Sequence, residues 1–128
     1  MAKLSETLAV RRGFSPVTAR RIGKAGLLHD VGKIKIPKAI LHKPGKLSKQ
    51  EFEVMKTHTT IGAELMSSVQ GEIGVVIRNV CLLHHEWHDP SLGGYWGKST
   101  SNLPGYISIV SIADVFVALV SERAYKAA

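Results

Sequence analysis

The sequence predicts an all-α protein, a compact bundle of about five to six helices over a single domain spanning residues 1–128. Two observations predict the fold class. Apolar residues recur at helical spacing along several long stretches, and helix-start signals, Ser15-Pro16 and Ser48 with Glu51, open two of them. A third, the lack of any internal repeat, linker or low-complexity segment, argues for one domain.

Residues 3–12 read as a short helix with Leu4, Leu8 and Val10 apolar and Gly13 as its stop. A second helix covers residues 17–29, with Val17, Ile22, Leu27 and Leu28 as its apolar positions. Residues 33–45 form a loop with a short turn, punctuated by Pro37 and Pro44. A third helix starts at Ser48, carries Phe52, Met55, Ile61, Leu65 and Met66, and lasts until about residue 68. Residues 71–86 are apolar on most sides, so that helix is expected at the centre. Residues 89–105 are a loop rich in Gly, Pro and Ser. Pro104 opens a last helix that ends near Arg123. Its β-branched residues would suit a strand, but positions 107, 110, 114 and 118 share one helical face.

Composition narrows the function classes. Apolar residues make up 45% and charged residues 21%, an ordinary globular balance. No apolar run approaches the ~20 residues of a membrane span, and the first ten residues lack the apolar core of a signal peptide. The single Cys81 excludes an internal disulfide and fits a reducing cytoplasm. The net charge is +7. Arg11, Arg12, Arg20, Arg21 and Lys24 form one basic group, and Lys33, Lys35, Lys38, Lys43, Lys46 and Lys49 another. Such a field attracts phosphates, so nucleotides, nucleic acids and acidic proteins stay open as partners, beside a plain solubilising role.

The chemistry centres on Leu27-Leu28-His29-Asp30-Val31-Gly32-Lys33. At a helix C-terminus the neighbouring His29 and Asp30 can reach one point, where an imidazole and a carboxylate suit a divalent transition metal. Gly32 would let the backbone turn tightly, and Lys33 would place a cation where a phosphate oxygen sits. The plain alternative is a helix C-cap with a solvated lysine. Further residues weigh against it. His58 lies mid-helix, His84-His85 closes the central helix, and Asp114 lies within an apolar run, where a buried carboxylate needs a partner or a metal. Singly, each has an ordinary reading as a hydrogen-bonded histidine or an ion-paired aspartate.

These motifs, with Lys43-Pro44-Gly45-Lys46-Leu47, Ile61-Gly62-Ala63-Glu64, His84-His85-Glu86 and Ile112-Ala113-Asp114-Val115-Phe116, resemble an HD-GYP domain. That is a bacterial subfamily of the HD metal-dependent phosphohydrolases. The resemblance implies an HD-type helical bundle holding one or two divalent ions, iron or manganese, and a metal-activated water that attacks a phosphodiester such as cyclic di-GMP. It implies that Asp30 bridges two ions. His29 and Asp114 would serve one ion, and His58, His84 and His85 the neighbouring positions. Lys33 would hold substrate phosphate and act with Asp30 in catalysis, and Tyr95 and Arg123 would contact substrate.

Departures from the family pattern shape the expected activity. The family's upstream metal ligands have no counterpart here, since no histidine precedes His29. The loop Asp89-Pro90-Ser91-Leu92-Gly93-Gly94-Tyr95-Trp96 is longer than the family's and has Trp for Pro. Val117 stands where an acidic residue is usual, and the chain resembles a family core trimmed at both ends. These departures point to weak, manganese-dependent hydrolysis of a generic phosphodiester, with little cyclic di-GMP turnover. The alternative is a degenerate module that binds metal, nucleotide or a partner protein without efficient turnover. A homodimer, with swapped N-terminal helices as one form of it, would cover apolar surface left open by the trimming. A diguanylate cyclase-type signalling partner and no membrane insertion complete the expectation.

Overall fold

The computed structural model describes the backbone of residues 1–127 and the side chains of residues 1–121. Among the described residues the elements are six α-helices and two 3-10 turns, with no strand. The helices are α1 (Ala2–Arg11), α2 (Pro16–Leu28), α3 (Lys38–Leu41), α4 (Lys49–Leu65), α5 (Gly71–Leu83) and α6 (Gly105–Ala127). The 3-10 turns are Val31–Lys35, between α2 and α3, and Thr100–Asn102, before α6.

Two helix starts follow from local chemistry. The Ser15 side chain accepts from the Thr18 backbone N–H, with Pro16 in the first turn of α2. Ser48 and Glu51 form the full reciprocal capping box that opens α4. The 33–45 segment is more ordered than a loop, since it holds most of the first 3-10 turn and the four-residue α3. Helix α5 stops at Leu83, so His84 and His85 lie beyond its last turn.

The core is built mainly from α2, α5 and the start of α6. Ala19, Ile22 and Ala25 meet Val76, Ile77, Val80, Cys81 and Leu83, and Ile107, Ile109 and Val110 close the layer. Helix α5 packs against α2, α4 and α6, the central place its sequence suggests. Helix α6 departs from expectation. Its buried positions are Ile107, Ile109, Val110 and Ala113, and from position 114 to 121 none is fully buried. Ile112, Val115, Phe116, Leu119 and Val120 are exposed. Periodicity marks an apolar face, but only a packed neighbour buries it, and the second half of α6 has none among the described residues. Asp114 is consequently half-buried, with 31% of its side chain exposed, rather than enclosed in a core.

Gly32 also works differently from a turn glycine. It is not among the residues with positive φ. Instead it is buried where the first 3-10 turn crosses α4, and a Cβ there would lie 1.9 Å from the His58 carbonyl oxygen and 2.6 Å from the Gly62 nitrogen. Only a bare Cα lets the two backbones approach this closely, and that approach sets Asp30 beside His58. Gly32→Ala must push the turn off α4. Overpacking of this kind typically costs about 1–3 kcal/mol, so thermal unfolding followed by circular dichroism should show a midpoint lower by several degrees. An unchanged midpoint would mean that the crossing is looser than its geometry.

Candidate metal centre

The ends of two helices and the faces of two others deliver the polar residues to one point. His29 follows the last residue of α2, and Asp30 precedes the 3-10 turn. His58 projects from α4, His84 and His85 follow α5, and Asp114 sits on α6. Asp30 is the hub. Its Oδ1 lies 3.3 Å from both His58 Nε2 and His84 Nε2. Its Oδ2 lies 3.1 Å from His29 Nε2 and 3.3 Å from the Lys33 ammonium. Two groups of ligand atoms result, each with all members within 4.8 Å of one another. One is Asp30, His58, His84 and His85; the other is His29, His84 and Asp114. His84 belongs to both, whereas the sequence reading lodges it with His58 and His85 alone.

Backbone carbonyls fix the imidazoles. His58 Nδ1 donates to Met55 O at 2.7 Å, and His84 Nδ1 to Val80 O at 2.9 Å. A carbonyl can only accept, so Nδ1 carries the proton and the Nε2 lone pair of each ring points inward. Both Nε2 lone pairs then face a carboxylate oxygen that also has only lone pairs to offer. Five buried side-chain N or O atoms lack a hydrogen-bond partner among the described residues. Four of them are Asp30 Oδ1, His58 Nε2, His84 Nε2 and His85 Nε2. Leaving such groups unsatisfied costs about 1–3 kcal/mol each. Acceptors that converge without a donor form a cation site. Ligand bonds of ~2.0–2.1 Å put neighbouring donor atoms roughly 3.0–3.4 Å apart, which is the spacing around Asp30. The mixed imidazole and carboxylate donors suit a divalent transition metal.

The electrostatics divide the histidines. Burial lowers the His85 pKa, and the nearby His84 and His58 lower it further, to about 3. His85 is therefore neutral and free to ligate. For His29, burial alone would favour the neutral ring, but hydrogen bonds to Asp114 and Asp30 outweigh it and push the pKa up to about 10. With Nδ1 donating to Gly26 O at 2.6 Å and Nε2 to Asp114 Oδ1 at 3.1 Å, the metal-free ring is an imidazolium between two carboxylates. Burial would raise the Asp30 pKa, yet His29 beside it holds that carboxyl well below its usual range. His29 also holds the Asp114 carboxyl below its ordinary value against the opposing effect of burial.

The remodelled loop folds back onto these histidines. Glu86, buried at 3% exposure, accepts from the backbone N–H groups of Tyr95, Trp96 and Lys98 at 2.9–3.1 Å. The family's proline at position 96 would lack one of these donors. The grip stacks the Tyr95 ring on His85, with centroids 4.2 Å apart and planes 16° from parallel. Phe52 meets the Tyr95 ring edge-on, and Lys56 sits over the Trp96 ring at 4.8 Å. Burial, with Asp30 and Asp114 adding to it, pushes the Tyr95 hydroxyl up to about 12, so it stays protonated. Two contributors were not singled out from sequence. Glu86 stands beside the histidine pair but gives no spacing signal for a loop clamp. Ser111, one turn before Asp114, donates to His84 O at 2.6 Å and ties α6 to the centre. The side chain of Arg123 lies outside the described residues.

The raised His29 pKa has a definite pH consequence. An imidazole favoured in its charged form by the fold lends stability that is complete below its unfolded pKa of ~6.5 and lost as pH rises through its folded value. In chelator-treated protein the His29 ring should titrate near 10 by NMR, and His29→Gln should remove a fall in thermal midpoint between pH 7 and 10 that the parent shows. A midpoint near 6.5 would mean that the carboxylates do not hold the imidazolium.

Comparison with known proteins adds a lineage to this geometry. The family model described as HD domain matches residues 1–119. The cyclic di-GMP phosphodiesterase response regulator RpfG of Xanthomonas campestris is 43% identical over 129 residues, covering 100% of this chain and 34% of that protein. A cyclic di-GMP phosphodiesterase of Thermotoga maritima is 44% identical, with 96% of this chain and 33% of the relative covered. A 3'3'-cGAMP-specific phosphodiesterase 2 of Vibrio cholerae is 39% identical, with 98% and 24% covered. The chain thus spans between 24% and 34% of the length of these relatives. With the match running from the first residue of α1's cap to the middle of α6, the chain belongs to the HD domain family.

Proposed function

We propose that residues 1–128 form one HD unit that hydrolyses a phosphodiester, with a cyclic dinucleotide as substrate and one or two divalent ions, iron or manganese, as cofactor. The observation that carries this reading is the convergence of four buried, partnerless polar atoms on Asp30, His58, His84 and His85. The names of the relatives support the substrate class. Asp30, His58, His84 and His85 would hold one ion, and His29 and Asp114 a second, with the two oxygens of Asp30 facing one group each; the single free lone pair of His84, on Nε2, can serve only one of them. Bound there, such ions supply Lewis acidity toward a phosphate oxygen and lower the pKa of water.

The chain's own residues account for the rest. The Lys33 ammonium, anchored on Asp30 Oδ2 and still 38% exposed, can turn to a phosphate oxygen and offset charge that builds in the transition state. Tyr95 keeps its proton and can donate to substrate, while its ring fixes His85 in place. Arg123 is assigned to substrate binding. Glu86 holds the loop closed over the histidines, which keeps water from competing there. The setting is the cytoplasm, where buried Cys81 remains a free thiol; no described helix is long and apolar enough to cross a membrane.

The uncovered face of α6 at Ile112, Phe116 and Val120 is assigned to a second copy of the chain. Light scattering at ~100 μM should give a dimer mass, since a contact covering a helix face binds more tightly than that. A monomer would leave the face to a different signalling protein, such as a diguanylate cyclase.

Activity is tested with manganese-loaded chain and bis(p-nitrophenyl) phosphate, followed by cyclic di-GMP and cGAMP. The parent should hydrolyse the generic ester in a manganese-dependent way. Asp30→Ala should lose bound metal and with it the hydrolysis, since a change merely around a metal's ligands already commonly costs 10–100-fold. Lys33→Ala should keep its metal and raise KM about tenfold. Metal bound without any hydrolysis would move the protein to the class of binding modules.

A further inference from the structure

Trp87 follows the histidine pair and Glu86 directly, and the chemistry above leaves it without a role. It is 52% exposed, an unusual place for an indole in a chain with two tryptophans. Its position is nevertheless fixed. A Cβ on Gly93 would lie 2.8, 2.8 and 2.9 Å from Cδ2, Cε2 and Cε3 of the Trp87 ring. Near-equal distances to three adjacent ring atoms put Gly93 over the face of the six-membered ring, not at its edge. One face of the indole therefore rests on backbone, at a distance only glycine permits.

Trp87 also lines a cavity of about 310 Å³ whose other walls include His84, His85, Asp114, Val115 and Leu119. That cavity runs from the ligand groups to the exposed stretch of α6. Its lining combines an indole, aliphatic side chains, imidazoles and carboxylates. Its size lies at the small end of ligand sites. A slot of this kind accepts a flat, mostly apolar ring joined to an anionic group.

From this juxtaposition we infer that Trp87, buttressed by Gly93, is a stacking platform for a nucleobase of the substrate, with Val115 and Leu119 as the facing wall. The inference rests on the phosphodiesterase reading and deepens it: binding strength comes from the base as well as the phosphate. Stacking depends on the ring face, not on base-edge hydrogen bonds, so the platform sets a preference for nucleotides over simple esters without demanding one base.

The test compares guanosine 5'-monophosphate with ribose 5-phosphate, which differ by the base alone, binding to the manganese-loaded full chain in a calorimeter. The parent should bind the nucleotide at least ~10-fold more tightly, within the roughly 5- to 150-fold that one stacked base supplies. Trp87→Ala should bring the ratio near one, and Trp87→Phe should keep most of it. Gly93→Ala should lower the ratio with the indole still present, because its Cβ displaces the ring; this separates a positioned platform from mere apolar surface. A parent ratio near one, or an unchanged ratio in Trp87→Ala, would overturn the platform while metal and phosphate binding stand. A manganese-loaded parent that binds neither ribose 5-phosphate nor inorganic phosphate would bring down the phosphodiesterase reading, and the platform with it.

Discussion

The Asp30 carboxylate is the constraint on which the site's geometry depends. Its oxygens meet three imidazole nitrogens and one ammonium within 3.3 Å. Those groups arrive from α2, the turn after it, α4 and the end of α5. Moving any one element moves a donor atom relative to the others. The bundle's packing is thus in service of a spacing, and the closest backbone approach in the site, Gly32 against His58 O, is the contact that sets the spacing. Overpacking destabilises any close-packed core; at this crossing it would also shift Asp30 relative to His58.

Much of the fold was readable because it is decided locally. Ser15-Pro16 and Ser48 with Glu51 signal helix starts through hydrogen bonds made within a few residues, and both caps form. The apolar run of α5 indicates a central helix without reference to its neighbours. What could not be read depends on partners distant in sequence. The same periodicity that buries Ile107 and Val110 leaves Val115 and Leu119 in the open, because no described element lies over the latter. Gly32 looks like a turn residue in one dimension and proves to be a spacer in three.

The candidate site follows the same division. His29, Asp30, His58, His84, His85 and Asp114 announce themselves by residue type, since an acid in an apolar run and paired histidines at a helix end are costly to leave unpartnered. Their grouping was less legible: His84 joins both sets because the rings of His29 and His58, from helices far apart in sequence, both come close to it, with ring centroids at 5.0 and 5.5 Å. Glu86 was the hardest to see. Its partners are three backbone N–H groups that lie 9 to 12 residues further on, and backbone donors carry no sequence signature.

Cys81 illustrates what burial beside such a centre does to a neighbour. It lies one helical turn before His84, fully enclosed, with its sulfur 3.5 Å from Leu28 O. Burial, and the negative charge of Asp30 beside it, push its thiol up to about 11. Oxidants and electrophiles react with thiolate, and almost none exists here at neutral pH. Among the described residues, the Cys81 sulfur is not one of the ligand atoms that converge at the candidate metal centre. Burial thus leaves a protonated thiol one turn from the candidate metal centre, where it packs in the core as a small apolar side chain.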